Sequence, residues 1–262
     1  MDLGEPIQLT EAAPGSTQAW PTGMAVLIPV YNHKATVAKV AGEAMALGAP
    51  VLVVDDGSTD GSGDAARQAG ADVLSLPHNQ GKAAALRAGM HELTRRGYRQ
   101  ALTADADGQH PTHEIERLAH EASDSAAIYI GARDMRCAPF SSRLGRFLSN
   151  TSSWIVSGAW MGDSQSGLRV YPLPSTTLLN APAKRYAYEI EILVRAAWAK
   201  IPVRTLAVSV IYPKDRISHF GKMRDNISAG LVLTKLFAHR ICPWTRAARV
   251  DQLIAAQAPS DA

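Results

Sequence analysis

Two aspartates that stand two residues apart are the sharpest chemical signal in the sequence. They occur in the run Asp105-Ala106-Asp107-Gly108-Gln109, directly after a short apolar segment that predicts a buried strand. At a strand end that turns into a loop, both carboxylates can face one side and share a hard cation. Oxygen ligands of this kind suit Mg²⁺ or Mn²⁺, which complete their coordination with water and substrate phosphates. The run therefore predicts a metal site.

A calcium loop and a helix cap could also account for this run. A calcium loop of EF-hand type needs Gly at its sixth position, where this sequence has His110 followed by Pro111, and it needs a helix rather than a strand before it. The calcium loop is therefore excluded. One of the two acids could cap the following helix, although capping would not require both of them.

Two further polar runs stand at the ends of predicted strands. Asp55-Asp56-Gly57-Ser58 offers carboxylates that can accept hydrogen bonds from a base or a ribose, unless the run is simply a solvated turn. Asn79-Gln80-Gly81-Lys82 precedes a helix, where Gly81 permits close backbone approach and Lys82 can place its charge against a phosphate. A Walker P-loop is excluded, because Leu76 stands where the earlier Gly is required.

The elements that must position these runs follow from the apolar pattern. Short apolar runs typical of buried strands cover residues 25–28, 51–54, 73–76, 101–104 and 127–130, and helical spacing fills the intervals. This alternation predicts an α/β fold with a mostly parallel sheet and helices on both faces. In such sheets ligands bind beyond the carboxyl ends of the strands, which is where the polar runs fall. The second half predicts helices around 144–155 and 190–197 and a strand over 203–212.

Length and composition predict one domain. A chain of 262 residues that is 46% hydrophobic fits a single α/β domain better than two. We expect a flexible arm over residues 1–22, the folded domain over 23–226, and a basic, apolar helix with a frayed tail over 227–262. The stretch from Ile227 to His239 could lie at a membrane interface or pack on the domain as an ordinary amphipathic helix.

Charge is concentrated near the C-terminus. The net charge is +3, yet eight basic residues and only two acids lie between Lys214 and Arg249. This favours a phosphate-bearing ligand or an anionic membrane surface, with a solvated basic face as the alternative, and no nucleic-acid partner is expected. Cys137 and Cys242 match no disulfide or metal pattern, and no signal sequence or membrane-spanning run is visible. We expect a cytoplasmic protein, with peripheral contact on the inner face of the membrane left open.

Seven short motifs occur in an order that is typical of one family. They are Ile28-Pro29-Val30-Tyr31-Asn32, Val53-Val54-Asp55-Asp56-Gly57-Ser58, Asn79-Gln80-Gly81-Lys82, Asp105-Ala106-Asp107-Gly108-Gln109, Gly131-Ala132-Arg133, Asp163-Ser164-Gln165-Ser166-Gly167-Leu168-Arg169 and Arg216-Ile217-Ser218. Over roughly residues 24–225 the chain resembles the family-2 glycosyltransferases of GT-A fold, especially the branch of dolichyl-phosphate mannosyltransferases and polyprenyl-phosphate glucosyltransferases. Each motif is weak alone, but seven in order are specific.

The resemblance implies a role for each matching residue. The nucleoside would contact Pro29, Tyr31, Val54 and Asp56. The metal, which would bridge the donor diphosphate, would be held by Asp105, Asp107 and Gln109. The acceptor phosphate would be gripped by Arg133 and Arg169, and Arg216 and Lys222 would close on the donor phosphates.

The implied reaction is an inverting transfer of a sugar from a UDP- or GDP-linked donor to a lipid-linked acceptor, with polyprenyl phosphate favoured. A phosphate acceptor is already ionised and needs no general base, whereas an alcohol does. Asp163 is the candidate base, with Glu189 and Glu191 as substitutes, but an internal salt bridge explains Asp163 equally well. Transfer to a hydroxyl acceptor such as a glycolipid, glycan or aglycone, and a catalytically silent nucleotide-sugar-binding module, remain alternatives. His33 stands where the family usually has Glu, which leaves uracil or guanine recognition open.

Overall fold

A computed structural model describes residues 18–133, 140–184, 187–211, 230–234 and 236–238. The strands are β1 Met24–Val30, β2 Val51–Asp55, β3 Asp72–Ser75, β4 Gln100–Thr103, β5 Ile128–Arg133, β6 Arg169–Pro172 and β7 Val203–Val208. The helices are α1 Lys34–Ala46, α2 Ser62–Gln68, α3 Lys82–Arg95, α4 Thr112–Glu121, α5 Phe140–Ser157, α6 Ser175–Leu178 and α7 Ala187–Trp198.

The seven strands form one sheet in the order β3-β2-β1-β4-β6-β5-β7. Strands β1 and β2 are buried along their whole length, because helices cover both faces of the sheet. All neighbouring pairs are parallel except those that β6 makes with β4 and β5. The mostly parallel α/β sheet predicted from the sequence is confirmed.

Strand β6 was not predicted, and its direction shapes the site. It is only four residues long and begins with Arg169, so it lacks the apolar run of the other central strands. Because it runs against its neighbours, Arg169 lies opposite Thr103, the last residue of β4. The loop that precedes β6 therefore reaches the same edge of the sheet at which β1, β2, β4 and β5 end.

Side chains alternate between two apolar layers on either face of the sheet. Leu27 and Leu52 pack with α3 and α7 on one face, whereas Val26, Ile28 and Val53 pack with α1 and α4 on the other. Helix α3 approaches β1 closely, since a Cβ added to Gly89 would lie under 3.0 Å from Leu27. Lys82 is the first residue of this closely packed helix.

Part of the predicted C-terminal helix packs on this core. Residues 230–234 and 236–238 are helical, and Leu236 is buried in the layer that contains Leu27. Leu231 and Phe237 on the same segment are exposed. Across the described residues, no helix combines the length and apolarity needed to span a membrane. The division into three segments stays a prediction, and Cys137 and Cys242 lie outside the described residues.

Candidate active site

The centre of the site is an ammonium group between two carboxylates. The Nζ of Lys82 lies 2.7 Å from Oδ1 of Asp105 and 2.7 Å from Oε1 of Glu189. Asp105 follows β4 and Glu189 stands in the first turn of α7, so the contact joins three elements at one edge of the sheet. The side chains of Lys82, Asp105 and Glu189 are 19%, 29% and 4% exposed, which makes this a largely desolvated cluster.

Mutual attraction keeps Lys82 and Asp105 charged despite their burial. Burial alone would lower the pKa of Lys82, but the charges of Asp105 and Glu189 outweigh it and raise that pKa above its ordinary value. Burial would likewise raise the pKa of Asp105, but the charge of Lys82 and its hydrogen bond hold it below the ordinary value. At neutral pH the cluster therefore contains an ammonium and a carboxylate in contact.

The second oxygen of Asp105 lies against the backbone of Gly167. A Cβ at position 167 would approach Oδ2 of Asp105 to under 3.0 Å, a separation that real Cβ atoms do not show. The hydroxyl of Thr103 donates a 2.8 Å hydrogen bond to the carbonyl oxygen of Gly167, which fixes this stretch of backbone. Asp105 is thus held from two sides, by Lys82 and by Gly167.

Asp107 and Gln109 form a second, connected group. The backbone N–H of Gln109 donates to Oδ1 of Asp107 at 3.0 Å, and its side-chain amide donates to Oδ2. Burial and then the negative charge of Asp105 raise the pKa of Asp107. Next in the chain, His110 is buried, and burial lowers its pKa. Two neighbouring carboxylates in a partly buried site repel each other when both are ionised, so a bound cation would stabilise them.

The residues present fit a divalent cation that keeps part of its shell for water and phosphate. Within the described part of the chain, no three His, Cys, Asp or Glu side chains form a ready-made metal cluster. Two carboxylates and one amide oxygen are hard ligands of the type that Mg²⁺ and Mn²⁺ prefer. Because Gly167 has no side chain, the carboxylate of Asp105 has room beside it to join this set of metal ligands.

Asp56 holds the loop that leads to Lys82. Its side chain accepts hydrogen bonds from the backbone N–H groups of Gln80 at 2.8 Å and Gly81 at 2.7 Å. Burial raises the pKa of Asp56, although these two hydrogen bonds oppose the shift. Of the other residues predicted to contact the nucleoside, Pro29 and Val54 are buried and Tyr31 is half-buried. Nucleoside binding by these four residues stays a prediction.

Arg133 and Asp163 form a two-pronged ion pair. Nε and Nη2 of Arg133 donate to the two carboxylate oxygens of Asp163 at 2.8 and 3.0 Å. The Asp163 side chain is 0% exposed, whereas that of Arg133 is 28% exposed. This geometry favours an internal ion pair over a general base as the role of Asp163.

Arg169 lies beneath the site and not at its surface. It is 0% exposed, and its guanidinium donates to the hydroxyl of Tyr171 and to the carbonyl oxygens of Glu189 and Ser164 at 2.8–3.1 Å. These bonds tie β6 to α7 and to the preceding loop. In this arrangement Arg169 does not stand beside Arg133 as a surface group, so its predicted contact with an acceptor phosphate has no support in the geometry. Arg216 and Lys222 lie outside the described residues.

Two contributors to the site, Asn150 and Glu189, were not identified in these roles from the sequence. Asn150 of α5 accepts hydrogen bonds from the backbone N–H and the hydroxyl of Ser164 at 3.0 and 2.8 Å, which fixes the loop that carries Asp163. No sequence pattern signals this contact, because it depends on how α5 packs. Glu189 was considered only as a substitute base, but a Glu within an otherwise buried apolar helix signals a buried partner.

Comparison with known proteins places this site in a family. Residues 25–148 match the family described as glycosyl transferase family 2. The chain is 32% identical over 187 residues to the polyprenol monophosphomannose synthase of Mycolicibacterium smegmatis, covering 65% of this chain and 71% of that protein. It is 27% identical over 242 residues to the undecaprenyl-phosphate mannosyltransferase of Micrococcus luteus, covering 87% and 96%.

A solved structure shares the fold. Glucosyl-3-phosphoglycerate synthase from Mycobacterium tuberculosis, crystallised with Mn²⁺, UDP-glucose and phosphoglyceric acid, superposes with a TM-score of 0.64 at 17% identity, over 82% of this chain and 79% of that one. The likeness confirms the GT-A fold that the motifs predicted. With the family match and the mannosyltransferase relatives, it leads to one conclusion: the chain belongs to glycosyl transferase family 2 and is a glycosyltransferase.

Proposed function

We propose that the protein transfers a sugar from a nucleoside diphosphate sugar to the phosphate of a polyprenyl-phosphate lipid, with inversion at the anomeric carbon and with Mg²⁺ or Mn²⁺ bound. The observation that carries the proposal is the group of Asp105, Asp107 and Lys82 at the carboxyl edge of the sheet. Carboxylates for a metal and an ammonium for phosphate oxygens are what a departing nucleoside diphosphate requires.

The acceptor class rests on the relatives and on Asp163. The two mannosyltransferase relatives carry polyprenol or undecaprenyl phosphate in their names. In this chain Asp163 is bound on both oxygens by Arg133, so it is poorly placed to take a proton from an alcohol. A phosphate acceptor needs no such base, because its oxygen is already ionised near neutral pH.

The bound metal would neutralise the charge that develops on the departing diphosphate. Asp105, Asp107 and Gln109 would hold it, and Lys82 would contribute a second positive charge from the first turn of α3. Arg133 has a partly exposed side chain at this edge, so it is a better candidate than Arg169 for the acceptor phosphate. Such preorganised charge lowers the barrier without proton transfer.

The test is a transfer assay with matched lipid acceptors. Purified protein is incubated with UDP- or GDP-linked sugars, Mn²⁺ or Mg²⁺, and either undecaprenyl phosphate or undecaprenol, and the products are separated and their anomeric configuration is read by NMR. We expect a β-linked product from an α-linked donor with the phosphate, and none with the alcohol or with EDTA present.

The control is the Asp107→Ala variant with the same substrates. We expect it to lose nearly all transfer, because one of the two carboxylates for the metal is removed. Efficient transfer to undecaprenol would overturn the phosphate-acceptor proposal and return weight to a hydroxyl acceptor. Transfer that is undiminished in EDTA would overturn the proposed metal dependence.

A further inference from the structure

Two cations, the ammonium of Lys82 and the proposed metal ion, would compete for the carboxylate of Asp105. The ammonium lies 2.7 Å from Oδ1 of Asp105, and Oδ2 lies against Gly167. A divalent cation ligated by Asp105 would meet that ammonium at close range. Two positive charges on one partly buried carboxylate repel each other, so tight metal binding requires the ammonium of Lys82 to move off Asp105.

Glu189 keeps Lys82 within reach of Asp105. Its side chain is 4% exposed, and its Oε1 lies 2.7 Å from the same Nζ. Its backbone carbonyl accepts a 2.8 Å hydrogen bond from Arg169, which fixes the first turn of α7 to β6. Glu189 therefore holds the same ammonium that contacts Asp105 without itself being a predicted metal ligand, which makes it a positioning residue.

We propose that Lys82, positioned by Glu189, is the resident counter-ion of Asp105 and makes metal binding depend on nucleotide binding. The diphosphate of the nucleotide gives the ammonium a new partner, and the carboxylate then takes the metal. This inference rests on the proposed function, since it requires Asp105 to be a metal ligand. Because coupling between two ligands is reciprocal, the metal must also tighten the nucleotide.

The test is Mn²⁺ binding measured by the electron paramagnetic resonance signal of unbound Mn²⁺, with and without UDP or GDP. For the wild type we expect the nucleotide to raise Mn²⁺ affinity about tenfold or more, within the range typical of coupled sites. For Lys82→Met we expect Mn²⁺ to bind about tenfold more tightly than to the wild type without nucleotide, and nucleotide to add less.

A charge-matched control separates contact from net charge. Lys34 begins α1 at the same edge of the sheet and is exposed. Lys34→Met removes the same charge without touching the Lys82–Asp105 pair, so it should leave Mn²⁺ affinity nearly unchanged. An equal gain in both variants would show a general charge effect and overturn the inference.

A double variant tests the part assigned to Glu189 and guards against misfolding. Lys82→Met strands the buried carboxylate of Glu189, whereas Lys82→Met with Glu189→Gln removes both charges. If Glu189 acts through Lys82, Glu189→Gln changes Mn²⁺ affinity in the presence of Lys82 and not in the Lys82→Met background. An equal effect in both backgrounds would overturn the positioning role. Should Lys82→Met alone lose its native circular dichroism, the double variant is compared with Glu189→Gln instead.

Loss of the counter-ion role and loss of the proposed function give different results. If no variant shows Mn²⁺ binding that depends on Asp107, with either nucleotide, both the counter-ion role and the proposed function are overturned. Asp107-dependent binding that Lys82→Met leaves unchanged or weakens would overturn the counter-ion role alone.

Discussion

Gly167 contributes to the site because it has no side chain. The carboxylate of Asp105 occupies the space in which a Cβ would lie, and Thr103 holds the backbone there. No positive φ requires glycine at this position, so the constraint is one of space alone. The Asp-Ser-Gln-Ser-Gly-Leu-Arg motif thus supports the Asp-x-Asp motif from the neighbouring strand.

We expect Gly167→Ala to displace Asp105 and to reduce transfer by about 100-fold, the loss typical of a shift of about 1 Å in a catalytic group. The kcat and the Mn²⁺ affinity of the purified variant measure this effect. Gly42→Ala is the matched control, because a Cβ at Gly42 meets nothing within 4 Å. That helical substitution should keep full activity and raise stability by about 0.5–1 kcal/mol. Unchanged Mn²⁺ affinity in Gly167→Ala would contradict the close approach.

We expect Asp163→Asn to lower the free energy of unfolding by roughly 3 kcal/mol, because it leaves Arg133 without its carboxylate partner. Urea unfolding followed by circular dichroism measures the change. Asp124→Asn is the control, since Asp124 pairs with Arg204 at 3.2 Å where the two side chains are 35% and 58% exposed. There we expect about 0–1 kcal/mol. If Asp163→Asn kept full stability but removed the acidic limb of the pH–rate profile, Asp163 would be a general base.

At the scale of elements, Glu114 joins α4 to the end of β7. Its Oε1 accepts hydrogen bonds from the backbone N–H and the hydroxyl of Ser209, both at 2.7 Å, and its Oε2 lies 2.6 Å from Arg117. Two residues further, the N–H of Ile211 donates to the carbonyl oxygen of Gln109 at 2.9 Å. The chain beyond β7 is therefore fixed beside the predicted metal-binding loop.

This anchor predicts a pH-dependent contribution to stability. Burial would raise the pKa of Glu114, but the hydrogen bonds from Ser209 and the charge of Arg117 hold it below its ordinary value. Its stabilisation is therefore present above the unfolded-state pKa of about 4.3 and is lost as pH falls through the folded-state pKa. We expect Glu114→Gln to cost about 1–3 kcal/mol at pH 7. The difference from wild type should shrink below about pH 4.

Urea unfolding at several pH values from about 3 to about 7, a range that brackets the ordinary glutamate pKa, measures this difference. Glu116→Gln on the same helix is the control and should change stability little at any pH. A wild-type advantage that stayed constant down to the lowest pH would show that the Glu114 carboxylate is not the source.

At the scale of the whole molecule, ligand binding and folding are linked. A nucleotide and metal that bind only the folded chain at about 100 times their Kd should stabilise it by about 2.7 kcal/mol, or roughly 5–10 °C in Tm for a chain of this size. Thermal unfolding with UDP or GDP, each with Mn²⁺ or EDTA, measures the shift. We expect one of the two nucleotides to raise the Tm, only when metal is present. We expect no such shift in Asp107→Ala. A shift of equal size in EDTA would contradict the metal site.

The sequence was informative where residue type and local pattern decide the outcome. The strands β1 and β2 were predictable because both are uninterrupted apolar runs, and the Asp-x-Asp run because its carboxylates follow a strand. Strand β6 and the burial of Arg169 were not, because the charged residue in this short strand is stabilised by hydrogen bonds that it donates to the carbonyl oxygens of Glu189 and Ser164. The pairing of Lys82 with Asp105 and Glu189 belongs to the same class, since three separate elements create it.

The reversed direction of β6 also affects the order in which the molecule can assemble. Strands β1, β2 and β4 bring Asp56, Lys82 and Asp105 together from a contiguous half of the chain. The other half of the site arrives only when β6 joins β4, a contact between Thr103 and Arg169 that closes 66 residues of chain. Closing a long segment costs entropy before its contacts repay it, so this pairing forms late. In a refolding experiment, recovery of transfer activity would then lag behind the return of helical circular dichroism.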